Sequence, residues 1–289
     1  MTTSPEVPMA EFETVRYQEE HGVAWVTLDR PEVHHAFNGK MAEELQSIWR
    51  SLRSNPDVNC AVLTASGEKA FCTGIDRNEI NPDWADELAS TGSQSESAGG
   101  RVGFASPFMF DDPGHYLGPK GNDLWKPVIA AVNGMACGGA FYMLGEVEFI
   151  IAADHATFFD PHVSYGMPTA FEPIHMLHKM PFPEIMRLSI AGNAERVSAQ
   201  RAYEIGLVSE VCPITELHDR ARWIAEQIAS YPPLAVQGTI RALWAARDLG
   251  HKQALDQAYT FIAMGTAAQG MREGQAEFAA GRRQEWRLR

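Results

Sequence analysis

Cysteine is scarce in this sequence, with four in 289 residues: Cys60, Cys72, Cys137 and Cys212. They are far apart and form no Cys-x-x-Cys pair, which excludes the usual zinc and dithiol spacings. Each stands among apolar or small neighbours, as a buried thiol of a reducing compartment does. Long apolar runs are also absent. The longest, such as Phe149 to Ala153, fall far short of the roughly 20 residues a membrane-spanning helix needs. The opening MTTSPEVPMAEFET has neither a basic start nor an apolar core, so no secretory leader is expected and the protein reads as cytoplasmic. Basic residues are outnumbered, 24 Lys plus Arg against 37 Asp plus Glu, for a formal charge of −13. A field of that sign repels nucleic acid and anionic membranes, so neither is expected as a partner. It leaves room for a local basic patch that holds a small anion.

Apolar residues make up 45% of the chain and charged residues 21%, the balance of an ordinary globular protein. At roughly 150 residues per domain the length allows one or two domains. Residues 1–12 read as a loose tail. Thr14–Glu19 and Val23–Leu28 read as strands joined by a hairpin turn at His21-Gly22. Met41, Leu45, Ile48, Trp49 and Leu52 recur at helical spacing and predict a helix over Gly39–Ser54. Cys60–Thr64, Pro127–Val132 and Glu148–Ala152 are short apolar runs of the kind buried in a parallel sheet, with a helix opening over Gly138–Gly145. Strand, helix, strand in that order predicts an α/β core over 13–200. Residues 79–120 break the pattern with a small, polar stretch followed by turn residues and aromatics, and read as a long loop. Helices are predicted over Glu184–Ala191, Ser198–Ile205, Glu216–Ser230, Leu234–Arg247 and Lys252–Gln269, so that 201–289 forms a helical region.

Two strand-to-loop turns can carry chemistry. Gly134-Met-Ala-Cys-Gly138-Gly139-Ala140 follows the strand PVIAAV, and Phe71-Cys-Thr73-Gly74-Ile75-Asp76 follows the strand CAVLT. Small residues let a substrate approach the backbone, whose N–H groups can hold a developing oxyanion. A tight packing turn explains the Gly pair equally well. The Gly pattern is neither a dinucleotide fingerprint nor a P-loop.

These residues carry a family resemblance. VTLDRP, AFN, AVLTASGEKAFCTGID, KPVIAAVNGMACGGAF, AADHATF, LSIAGNAERVSAQRAYEIGLVSEVCP and REGQAEFAAGRRQEW occur in an order that resembles the crotonase superfamily, which includes enoyl-CoA hydratases and isomerases. The resemblance implies an α/β spiral of ββα units with a C-terminal helical trimerisation region, in a homotrimer or dimer of trimers. It implies an acyl-CoA substrate, with CoA entering as part of that substrate, and no metal. By position, Ile75 and Gly139 match the residues whose N–H groups hold the thioester oxygen. Ala36, Thr73, Gly74, Asp76 and Gly138 fall along the expected CoA and acyl path. Arg30, Arg282 and Arg283 are expected near the CoA phosphates, although Arg30 can also serve as a surface ion-pair partner. Asp112, in the loop over the acyl pocket, and Glu172 are expected to contact the acyl group, with a turn and a helix terminus as their respective alternatives.

The chain departs from the family pattern where the family carries its two catalytic glutamates. Tyr142 and His162 occupy those positions. Both can transfer protons, with ordinary pKa values of about 10 and 6.5. Asp160, two residues before His162, is expected on the same face of an extended segment. There it can orient the imidazole, act as a nucleophile, or cap a turn. Glu146, one helical turn after Tyr142, can face the same side or be a solvated helix-end acid. The pairs His34/His35 and His175/His178 read as structural or surface residues. The expected function is therefore acyl-CoA processing of the enoyl-CoA hydratase/isomerase type, with Tyr and His in place of two Glu. An isomerase, a C–C or thioester hydrolase, and an inactive acyl-CoA-binding protein are the other readings.

Overall fold

The computed structural model describes residues 12–78, 114–281 and 287–288. The chain starts with a hairpin of β1 (Val15–Glu20) and β2 (Val23–Leu28), paired antiparallel in full register. His21 and Gly22 both take positive φ at the turn (52° and 77°), the conformation a tight hairpin requires. Helix α1 (Gly39–Ser54) starts where the Asn38 side chain accepts from the Met41 N–H at 2.9 Å. It buries Met41, Leu45, Ile48, Trp49 and Leu52, the face its periodicity predicts.

After α1 the chain alternates between two sheets. Strands β3 (Cys60–Ala65), β5 (Val128–Val132) and β7 (Phe149–Ala153) join β1, β2 and β10 (Glu210–Cys212) in one sheet, ordered β1-β2-β3-β5-β7-β10. Each is followed by a shorter strand, β4 (Ala70–Cys72), β6 (Met135–Cys137) or β8 (Thr157–Phe159), which joins a second sheet, ordered β4-β6-β8-β9, with β9 at Val197–Ser198. All pairs are parallel except β1–β2 and β8–β9. This repeated two-strand step is the spiral implied by the resemblance. One apolar core lies between the sheets and α1. A second lies on the other face of the larger sheet, covered by the helix Ile214–Ala229, where Leu217, Ala221, Ala225 and Ala229 recur every four residues.

The helices numbered α2 to α10 in chain order are Gly114–Leu117, Ala140–Leu144, Phe171–Met176, Phe182–Ala191, Ala199–Glu204, Ile214–Ala229, Pro233–Asp248, His251–Gly265 and Ala268–Ala279. Helix α3 opens at Ala140, two residues later than predicted. The helix predicted over Lys252–Gln269 is two helices, α9 and α10, broken at Thr266-Ala267. Thr266 turns its hydroxyl back onto the Ile262 carbonyl at 2.6 Å, and Gly265 abuts α8, where a Cβ would lie 3.0 Å from the Leu234 carbonyl oxygen. Within the predicted loop 79–120, residues 114–117 form the single turn α2, and the Trp49 indole donates to the Leu117 carbonyl at 2.9 Å. Residues 1–11 of the predicted tail and residues 79–113 lie outside the described residues. No helix among the described residues is long and apolar enough to cross a membrane.

Candidate active site

Strands β4, β6 and β8 are adjacent and parallel, so their C-terminal ends deliver three loops to one edge of the smaller sheet. Gly74 follows β4 with φ +87°, and a Cβ there would lie 3.0 Å from the Gly139 nitrogen in the loop after β6. Both the backbone conformation and the approach of Gly139 require glycine. The Gly74 N–H turns inward to the Cys72 sulfur at 3.4 Å. Phe37 brackets the next residue: its N–H donates to the Gly74 carbonyl and its carbonyl accepts from the Asp76 N–H, each at 2.8 Å. The N–H groups of Ile75 and Gly139 have no acceptor among the described residues. Gly138 has φ +53°, and its missing Cβ would point to His162 Cε1 at 3.5 Å. Gly139 lies under the Phe37 ring, where a Cβ would come within 2.5 Å.

Beyond β8 the chain does not stay extended as predicted. Pro161 is helical, and a 3-10 turn runs over His162–Tyr165. Asp160 and His162 meet all the same, because the Asp160 carboxylate folds back. Its Oδ1 accepts from the His162 N–H at 2.9 Å and contacts His162 Nδ1 at 2.7 Å, and its Oδ2 accepts from the Thr169 hydroxyl at 2.9 Å. Asp160 has no exposed surface, and these bonds orient the imidazole and cap the turn. Its hydrogen bond pushes the His162 pKa above the ordinary imidazole value, and Glu172 adds to the rise.

Glu172 comes from the first turn of α4, which packs on α3 and brings its carboxylate to Tyr142. The Tyr142 hydroxyl donates to Glu172 Oε1. The same oxygen lies 3.6 Å from His162 Nε2, and Glu172 Oε2 accepts from Thr169 at 3.2 Å. Tyr142, Glu172, Thr169, Asp160 and His162 thus form one connected polar cluster. Ligand atoms of Asp160, His162 and Glu172 lie within 4.8 Å of one another, close enough to share a cation. The Nδ1–Oδ1 contact and the two Thr169 bonds tie the same groups together by hydrogen bonding.

The remaining expected residues take varied places. Arg30 is turned inward, paired with Asp76 at 2.9 Å and donating to the Ala36 carbonyl at 2.6 Å, so it braces the loop that carries Ile75. Its charge is neutralised by Asp76 and not turned to solvent. Ala36 is buried, and Thr73 lies at the rim with its hydroxyl near the Val33 and His34 carbonyls. Glu146 is not solvated. It is buried, accepts from the Gly121 N–H at 2.8 Å, and its pKa is raised by burial. His35 is buried between the Arg30 N–H and the Ser66 carbonyl, as a structural histidine. His175 contacts Tyr142 edge to face, 5.8 Å between ring centroids. Asp112, Arg282 and Arg283 lie outside the described residues.

The Enoyl-CoA hydratase/isomerase family model matches residues 18–97 and 119–289. The chain belongs to the enoyl-CoA hydratase/isomerase family. Membership makes it an acyl-CoA-processing protein of that type. It is 33% identical over 227 residues to (E)-benzylidenesuccinyl-CoA hydratase of Thauera aromatica, covering 78% of this chain and 80% of the relative. It is 30% identical to carnitinyl-CoA dehydratase of Escherichia coli K12, covering 83% and 82%. An enoyl-CoA hydratase/isomerase structure from Mycobacterium paratuberculosis superposes with a TM-score of 0.79 at 30% identity, over 96% of this chain and all of that one. The family match passes over 98–118, inside the loop where the sequence departs from regular patterning.

Two links in this site escaped the sequence reading: the Tyr142–Glu172 bond and the role of Thr169. The available signal was the Thr-x-x-Glu spacing over 169–172, which on its own describes a helix cap.

Proposed function

We propose that this family member is a lyase that adds water to, or removes it from, an acyl-CoA thioester. The observation that carries this reading is the pairing of both departures with carboxylates. Tyr142 and His162 stand where the resemblance expects glutamates, and each is bonded to an acid from elsewhere, Glu172 and Asp160 respectively. The site keeps two acid/base units, each made of two residues. The names of the hydratase and dehydratase relatives support the same reaction class.

In this reading the N–H groups of Ile75 and Gly139 receive the thioester oxygen. Each such donor is worth on the order of 3 kcal/mol as charge moves onto that oxygen in an enolate-like transition state. His162, tied at Nδ1 to Asp160, presents Nε2. The Asp160 bond raises its pKa, which favours the imidazolium and suits it to act as the acid. Glu172, held by Tyr142 and Thr169, is the base. On hydration, water gives a proton to Glu172 and its oxygen bonds to Cβ, while His162 protonates Cα. The proton on Glu172 then returns to His162 across the 3.6 Å gap, which resets the site. Dehydration runs the same steps in reverse. Asp160 and Tyr142 are positioning residues, and Arg30 holds the Ile75 loop through Asp76.

The assembly in this reading is a homotrimer or dimer of trimers. The support is the exposure of large apolar side chains along α8, α9 and α10, among them Leu243, Leu255, Tyr259, Ile262 and Phe278.

The test is to incubate the protein with a panel of 2-enoyl-CoA and 3-hydroxyacyl-CoA esters and follow them by mass spectrometry. The expected result is interconversion of one such pair. Release of free CoA would support a hydrolase, and tight binding without product would support an inactive acyl-CoA-binding protein.

A further inference from the structure

A cavity of about 430 Å³ opens away from the site just described. Its walls include Arg50 and Arg53 at the end of α1, Asp123, Trp125 and Lys126 ahead of β5, and Arg241 on α8. The candidate active site lies at the other ends of both α1 and β5. Helix α1 begins next to Phe37, which covers Gly139, and 16 residues of helix span about 24 Å. The two sites are therefore separate.

The walls concentrate four cations against one carboxylate in a chain whose formal charge is −13. Lys126 is buried, and its ammonium donates to the Asn55 carbonyl, a neutral acceptor. Burial lowers its pKa, with Glu19 and Asp57 opposing from a distance. Arg50 has no ion-pair partner among the described residues. Asp123 is held at φ +57°, a left-handed conformation uncommon outside glycine. That turn aims its carboxylate at both the Trp125 indole N–H and Arg53, 2.9 Å away. The Trp125 ring is thereby fixed as a wall, with the Arg241 guanidinium 4.5 Å from its centroid. The buried Lys126 ammonium, bonded only to a neutral carbonyl, is costly without an anion close by, and the solvent-facing guanidinium groups of Arg50, Arg53 and Arg241 line the same cavity.

We propose that this cavity binds a phosphate-bearing small anion, separately from the acyl-CoA site. Guanidinium forks match the oxygen geometry of phosphate, and paired arginines suit a diphosphate better than a single charge. The volume lies within the range of ordinary small-molecule pockets.

The test is calorimetry on the full chain with inorganic pyrophosphate and, separately, with ADP. The expected result is saturable binding of one anion per chain that weakens as salt is added. Arg50→Gln and Arg241→Gln should each weaken it about tenfold, the loss of one charge-assisted contact. Both variants should keep the wild-type melting temperature and acyl-CoA affinity. Tighter binding of ADP than pyrophosphate would place the nucleoside against Trp125, and equal binding would mean that the diphosphate alone is read. The proposal fails if neither anion saturates the protein or if the variants bind like the wild type. It also fails if the variants change only the mass of the assembly, which would assign the cavity to an acidic segment of a second copy.

Discussion

In the proposed mechanism, His162 is the residue whose charge state decides the chemistry. The Asp160 carboxylate 2.7 Å from Nδ1 raises its pKa, so its NMR titration should have a midpoint above the ordinary 6.5. Asp160→Asn should bring that midpoint down. The folded pKa lies above the unfolded one, so the stability this pair contributes is complete below about pH 6.5 and is lost as pH rises through the folded pKa. Activity that needs the imidazolium should fall over the same upper window, and the limb should move to lower pH in Asp160→Asn. Glu172→Gln removes the base and should lower kcat by about 10² to 10⁴, the usual contribution of a positioned acid or base. Tyr142→Phe, which only frees Glu172, should cost less. The sequence made positions 142 and 162 stand out because the residue types differ from the resembled pattern. It could not pair Tyr142 with Glu172, because thirty residues and two packed helices separate them. It also could not bury Glu146, since burial under the 118–121 turn depends on tertiary packing.

The loops that shape the site depend on glycine, and their substitution separates two causes. Gly67→Ala meets only the backbone penalty of φ +71°, because nothing lies within 4 Å of the added Cβ. Gly74→Ala meets a similar penalty and also pushes on the Gly139 nitrogen. Urea melts should give about 1 to 2 kcal/mol for the first and more for the second, with only the second reducing activity. Gly139→Ala should be the most disruptive of the three, because its Cβ would come within 2.5 Å of the Phe37 ring. The longer elements were legible: α1 from its apolar spacing, and β2, β3 and β5 from their apolar runs. Strands β4, β6 and β8 have three residues each, too few to show a period, yet they carry the site. Gly265 and Thr266, both poor helix formers, were the available signal for the α9–α10 break, and the apolar spacing on either side masked it.

At the scale of the whole molecule, alternation between two sheets explains how loops from β4, β6 and β8 converge. Local propensity gives the longer strands, but only the pairing order β4-β6-β8 brings the ends of the short ones together. The proposed trimer or dimer of trimers predicts that light scattering returns the mass of three or six chains, and a monomer at micromolar concentration would refute that assembly. The −13 charge argues against nucleic acid and coexists with basic groups that act locally. Arg30 illustrates the limit of reading charge from sequence, since Asp76 already neutralises it. The most direct test of the central claim is the rate of interconversion of a 2-enoyl-CoA and its 3-hydroxyacyl-CoA by wild type and His162→Ala, side by side. The account predicts turnover by the wild type and a loss of at least about 10² in kcat for the variant. Unchanged turnover by the variant would contradict it.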